Sequence, residues 1–246
     1  VTDIERWIRD PYALYVASNL GSILALVAYP FAIEPWLTLG AQSRAWSIGY
    51  LALIVLSAWC GFLARGGTVR TPIAGAFANA ITWRVRLSWI VLAAVPSSLL
   101  LGVTTHITTD LAPIPLLWVL PLAIYLQTFV IAFGDRTQFP AAASIAALPY
   151  LVISCAVLLF LRSELPGPAG YVVHLATFFV CALACHLRLA AARPPAGRLT
   201  EFYVWLSIGG VLGGLFNALL APNVFHTVLE YPMALVAATA LTKPAR

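Results

Sequence analysis

Seven stretches of this chain run for close to twenty residues with almost no charge among them, and that recurrence limits what the chain can fold into. A helix needs about 20 apolar residues to cross roughly 30 Å of hydrocarbon. In lipid the backbone must also satisfy its own N–H and C=O groups, which leaves helices as the form for such segments. The seven cover residues 12–29, 43–64, 88–105, 116–133, 141–161, 170–186 and 202–220, and a shorter eighth, 228–241, carries Glu230. The predicted fold is all-α: a polytopic transmembrane bundle of about eight spans, residues 1–246 forming a single helical domain. Composition agrees, since 61% of residues are hydrophobic and 9% charged, against roughly 25% charged in soluble domains.

The basic residues orient the spans. A net charge of +5 raises the thought of nucleic acid, but the cations sit in short clusters between apolar runs with no basic-aromatic face, so no nucleic-acid partner is expected. With eight crossings, one face receives Arg6, Arg9, Arg65, Arg70, Arg84, Arg86, Arg136, Arg188, Arg193, Arg198, Lys243 and Arg246. The other face receives Arg44 and Arg162. Positive residues gather in the cytoplasm, so both termini are expected there, with the lipid bilayer as the chief partner. Trp7, Trp36, Trp46, Trp83, Trp89 and Trp118 lie near span ends, as an interfacial aromatic belt requires. The longest linker, 65–87, is basic and is expected to lie on the cytoplasmic surface.

Targeting and cysteine usage add little. The opening "VTDIERWIRD" is charged, lacks the apolar core of a signal peptide, and has no starting Met. A processed or partial chain is the expectation. Cys60, Cys155, Cys181 and Cys185 all fall inside apolar runs, where small core residues are expected rather than disulfides. Cys181, Cys185 and His186 have the spacing of neither haem attachment nor a usual zinc site. No metal site and no cofactor are expected.

One pattern occurs twice. "FYVWLSIGGVLGGLF" from Phe202 matches "LYVASNLGSILALVA" from Leu14, with Tyr203 on Tyr15, Val204 on Val16, Ser207 on Asn19, Gly209 on Gly21 and Leu212 on Leu24. These are the first and seventh predicted spans, both starting on the cytoplasmic side. A same-orientation repeat six helices apart is what two halves of a major-facilitator bundle give. Gly209, Gly210, Gly213 and Gly214 also form overlapping small-xxx-small motifs that let helices approach closely.

Three stretches carry a family resemblance: "DPYALYVASNLGSILALVAYPFAIEP", "LLGVTTHITTDLAPIPLLWVLPLAIYLQTFVIAF" and "RLTEFYVWLSIGGVLGGLFNALLAP" followed by "LEYP". Together they resemble the membrane region of bacterial spermidine synthase-like integral membrane proteins, in which a major-facilitator-like bundle is fused to an aminopropyltransferase-like domain. The resemblance implies a bacterial inner-membrane protein with a transporter-like bundle. It further implies that four N-terminal helices are missing, along with the soluble domain. No G-x-G-x-x-G follows a strand, so the transferase chemistry is not assigned to this chain, and no catalytic residues are expected.

Candidate sites come from polarity in apolar surroundings. No Asp, Glu, Lys or Arg lies at the middle of a span. Among the mid-span polar groups, Asn19, Ser207 and Asn217 are candidates for a polar path between helices, the alternative being interhelical hydrogen bonds of about 0.6 kcal/mol each. Glu34, His106, Asp110 and Glu230, with Glu164 and His226, map to the outer face and form a candidate cation rim. Arg188, Arg193 and Arg198 flank "ARPPAG" and read as a topogenic loop. Two functions are expected from this: a transporter-like membrane domain for small cationic metabolites such as polyamines, or an accessory or scaffold subunit held among other membrane subunits.

Overall fold

The computed structural model describes residues 11–65, 81–111, 116–134, 137–161, 169–225 and 229–242. Among them every regular element is helical. The elements are α1 Pro11–Ala28, α2 Leu39–Ala64, α3 Trp83–His106, α4 Val119–Phe133, α5 Gln138–Leu161, α6 Ala169–Ala191, α7 Leu199–Leu215 and α8 Glu230–Thr242. Wider π turns prolong α1 over Tyr29–Ile33, α3 over Ile107–Leu111 and α7 over Phe216–Leu220, after which Ala221–Val224 adds one α turn.

Six helices are long and apolar enough to cross a membrane: Tyr12–Ile33, Leu39–Leu63, Trp83–Thr109, Ala141–Leu161, Ala169–Ala191 and Leu199–Val224. This identifies a helical membrane protein, with two of the eight expected spans falling short. At 1.5 Å per residue, the 15 residues of α4 and 13 of α8 reach only about 22 and about 20 Å, less than a hydrocarbon core. The expected start at Leu116 fails for a local reason. Leu116 has φ 66°, in the left-handed region, so helix begins only at Val119. Conversely, α3 and α6 extend several residues past their apolar runs, carrying Arg84, Arg86 and Arg188 on the extra turns.

The chain divides into two compact units, Val1–Leu24 with Ile81–Arg246, and Ala25–Ala80. In the first, α6 is the axis. Its span is 61% buried against 17% for the Leu199–Val224 span, and it packs against α3, α4, α5 and α8. The core is aromatic, with Trp89, Phe129, Phe133, Phe178, Phe202 and Tyr231 all buried.

Residues that meet fix the helix directions. Tyr12 and Tyr15 at the head of α1 pack against Phe133 at the tail of α4, and against Tyr203 near the head of α7. Near the head of α3, Trp89 Nε1 donates to Ala192 O just past α6 at 3.1 Å, and Tyr12 OH donates to Pro194 O at 2.8 Å. One end of the unit thus gathers the heads of α1, α3 and α7 and the tails of α4 and α6. Arg86 Nη2 pairs with Glu201 Oε1 at 2.7 Å there, and Arg193 lies over the Tyr12 ring. Along α3 and α7 the contacts advance together, from Arg86 with Glu201 to Ser98 with Asn217, so those two helices run parallel.

The second unit holds the continuation of α1, a turn, and α2. The Thr38 hydroxyl caps α2 by accepting from Ala41 N, and Gln42 Nε2 donates to Leu37 O at 2.9 Å. Leu51, Leu53, Ile54, Val55 and Leu56 on α2 are exposed, the kind of surface acyl chains cover. Most of the linker between α2 and α3, expected on the cytoplasmic surface, lies outside the described residues.

Candidate functional site

At the opposite end of the first unit, four helices contribute one polar cluster. His106 ends α3, Cys155 lies on α5, His174 follows the first turn of α6, and Tyr231 is the second residue of α8. The His106 and His174 Nε2 atoms are 3.3 Å apart. His174 Nδ1 lies 3.2 Å from Tyr231 OH and 3.4 Å from Cys155 Sγ, and that sulfur is 3.5 Å from Tyr231 OH. Cys155 and Tyr231 are wholly buried, His174 is 3% exposed, and His106 is half-buried. The cluster therefore has one partly open mouth, at His106.

Packing holds these groups together. A Cβ on Gly102 would lie 3.2 Å from Tyr231 Cβ, so the missing side chain lets α8 settle onto α3. Thr177 Oγ1, one turn along α6 from His174, donates to Val173 O at 2.7 Å and lies 3.1 Å from Leu151 O of α5. That tie fixes α5 beside α6 where Cys155 projects. The His106 and Tyr231 rings stack at 5.8 Å with planes 27° apart. Among the described residues no group of three or more His, Cys, Asp or Glu is placed to hold a metal.

A second buried histidine lies near the other end of α6. Thr128 Oγ1 donates to Tyr125 O at 2.6 Å, so its lone pair takes the proton of His186 Nδ1 at 2.8 Å. This sets the tautomer and leaves His186 Nε2 as a bare acceptor, buried with no hydrogen-bond partner. Phe129 covers the ring at 3.8 Å between centroids.

The residues singled out by sequence are placed as follows. Of the rim, His106 belongs to the four-helix cluster, and half-buried Glu230 opens α8 beside Tyr231. Glu34 is exposed in the second unit, where its backbone N–H closes the π turn onto Tyr29 O. The side chain of Asp110, and all of Glu164 and His226, lie outside the described residues. Of the polar path, Asn19 Nδ2 donates to Tyr15 O at 2.8 Å within its own helix, and Ser207 is exposed. Asn217 Nδ2 donates to Ser98 Oγ at 2.6 Å and to Gly213 O at 3.1 Å, leaving its Oδ1 buried without a partner. Of the four glycines, Gly209 and Gly213 abut α3 at Ile90, Ala93, Ala94 and Ser97, while Gly210 and Gly214 have room around them.

Sequence reasoning did not single out His174 or Tyr231, and it read Cys155 as a small core residue. The available signal was His174 itself, an ionisable side chain inside an apolar run, which is costly in lipid and usually functional. Comparison of the chain with protein-family models, with curated proteins and with solved structures gives no match.

Proposed function

We propose that the chain is a transporter-like membrane domain of the bacterial inner membrane, with both termini cytoplasmic, handling small cationic metabolites such as polyamines. One observation carries this reading: Tyr15 and Tyr203, the residues equated by the internal repeat, meet with ring centroids 5.0 Å apart. Repeats of one orientation must start at the same end of the bundle, and a pair of same-facing halves is the plan of major-facilitator transporters. The resemblance to spermidine synthase-like membrane proteins belongs to this proposal and points to amines as the substrate class. Glu230, the residue before Tyr231 at the start of α8, supplies an acidic group at the same end of the unit as His106.

A second reading, an accessory or scaffold subunit of a larger membrane complex, is favoured by how full the first unit is. Large aromatic side chains occupy its core, while in the second unit two grooves run along α2, one of them lined by Ile33, Trp46, Tyr50 and Leu53. Reconstitution separates the two. Saturable uptake of putrescine or spermidine into vesicles supports transport. Inert vesicles together with membrane partners that co-purify stoichiometrically support the accessory role.

A further inference from the structure

We propose that the seam between α3 and α7, at the end where the arginines gather, binds an anionic phospholipid, with its phosphate on Arg84 and one acyl chain laid along the two helices. The site goes beyond the transport reading and does not depend on it.

Charge marks the place. Among the described residues, this end of the first unit carries Arg84 and Arg86 on α3, Arg188 on α6, and Arg193 and Arg198 on the linker to α7, against the carboxylate of Glu201. That carboxylate is already engaged: Arg86 Nε and Nη2 both reach its Oε1, at 2.8 and 2.7 Å. Arg193 lies over the Tyr12 ring, and Arg188 and Arg198 each have an interaction of their own. The Arg84 side chain is exposed and has no hydrogen bond or ion pair among the described residues. A guanidinium presents its N–H donors in a planar fork that matches phosphate. This one stands uncommitted in a patch of positive sign, which attracts an anion.

The surroundings select the kind of anion. Next to Arg84, the Trp83 ring is 61% exposed and meets Trp205 of α7 edge to face, with centroids 5.2 Å apart and planes at 85°. Arg86 Cζ lies 5.9 and 6.0 Å from those two ring centroids, so the side chain that holds Glu201 also braces the pair. Tryptophan exposed at the end of a span suits the boundary between headgroups and acyl chains. An apolar strip continues from the pair. Leu87 follows Trp83 by one turn of α3, and Ile208, Leu212 and Leu215 follow Trp205 at spacings that keep to one face of α7. All four are exposed. From Trp205 to Leu215 the helix rises about 15 Å, half of the roughly 30 Å hydrocarbon core and so the depth of one leaflet. A free phosphate would use Arg84 and leave the strip bare. A zwitterionic lipid would cover the strip but bring another cation to a patch already rich in them. A phospholipid of net negative charge satisfies both parts.

The test uses the whole chain without substrate, so its outcome is separate from any transport result. Native mass spectrometry in detergent compares phosphatidylglycerol with phosphatidylcholine of the same acyl chains. The unsubstituted protein should hold phosphatidylglycerol about fivefold more tightly, the worth of one arginine near an anionic surface. Arg84→Gln should lose that preference, and Arg44→Gln on α2 should keep it. Phosphatidylglycerol with a diazirine in its acyl chain is then photolysed in nanodiscs around the unsubstituted protein, and the cross-linked peptides are mapped. Adducts should concentrate on Leu87 and on residues 208–215, above the level at Tyr150, Ile153 and Phe160, which are exposed on α5. Equal affinity for the two lipids overturns the phosphate site, as does a preference that survives Arg84→Gln or is lost alike in Arg44→Gln. Displacement of the lipid by millimolar inorganic phosphate assigns Arg84 to a free anion and overturns the lipid. Adducts as frequent on α5 as along the seam overturn the acyl track.

Discussion

Gly213 of α7 rests directly on the backbone of Ala94 in α3: a Cβ placed on the glycine would overlap the Ala94 carbonyl and lie 3.0 Å from Ser97 Cβ. Gly209 repeats the arrangement one turn earlier, where an added Cβ would lie 2.9 Å from Ala93 Cβ. Gly213→Ala must therefore push two parallel helices apart, and overpacking of this kind costs about 1–3 kcal/mol. Gly210→Ala meets open space and should leave stability unchanged. Thermal unfolding in detergent of the two variants side by side checks the contrast; equal midpoints would mean that α3 and α7 are not in contact here.

Trp89 is 1% exposed and spends its only polar atom on the carbonyl of Ala192. Trp89→Phe should keep the ring packing against Phe202 and lose the bond, destabilising the fold by about 1 kcal/mol. Because that bond ties the α6–α7 linker to α3, protease cleavage near Ala192 should accelerate. An unchanged cleavage rate would remove the linker-anchoring role.

His186 keeps Nε2 buried without a partner, which is costly for a polar atom in a dry interior. Replacing it with Phe removes that cost and leaves the stack on Phe129, while Thr128 still donates to Tyr125 O. The expected result is a melting temperature equal to or above that of the unsubstituted protein. A fall of several degrees would show that the Thr128 bond outweighs the orphaned nitrogen.

Thiol reactivity reports burial. Cys60 is exposed, whereas Cys155, Cys181 and Cys185 are buried. A lipid-permeant maleimide should modify one thiol in the folded protein and all four after denaturation, counted by intact mass. Rapid modification of Cys155 in the folded state would contradict its burial.

The proposed orientation predicts opposite accessibility for two linkers. In intact cells a membrane-impermeant maleimide should label Trp36→Cys and spare Arg193→Cys, in a background with the native cysteines replaced. Labelling of both, or of Arg193→Cys alone, would invert or break the alternation derived from the arginines.

The helical class was legible because Leu, Val, Ala and Ile fill whole spans without the polar alternation of a barrel strand, and a helix satisfies its own backbone in lipid. Element lengths were less so. The left-handed turn at Leu116 depends on how the chain enters α4, which hydropathy does not encode. The glycine pattern of α7 could be read, but its four glycines spread over about 140° of the helix circumference, and only packing selects Gly209 and Gly213. The cluster was hardest. His106, Cys155, His174 and Tyr231 are far apart in the chain, and each alone looks like an ordinary substitution in an apolar run. Their meeting is a product of helix packing, and one sequence holds no record of it beyond the oddity of His174.

The position of α6 also bears on how the molecule is assembled. Three of its four neighbours, α3, α4 and α5, are synthesised before it, and α8 after it. On entering the bilayer, this helix already finds most of its enclosure in place, but His174 has a gap on one side until Tyr231 arrives. Docking of α8 thus supplies the hydroxyl that His174 Nδ1 faces, and until residue 231 is synthesised that buried imidazole lacks one of its polar neighbours.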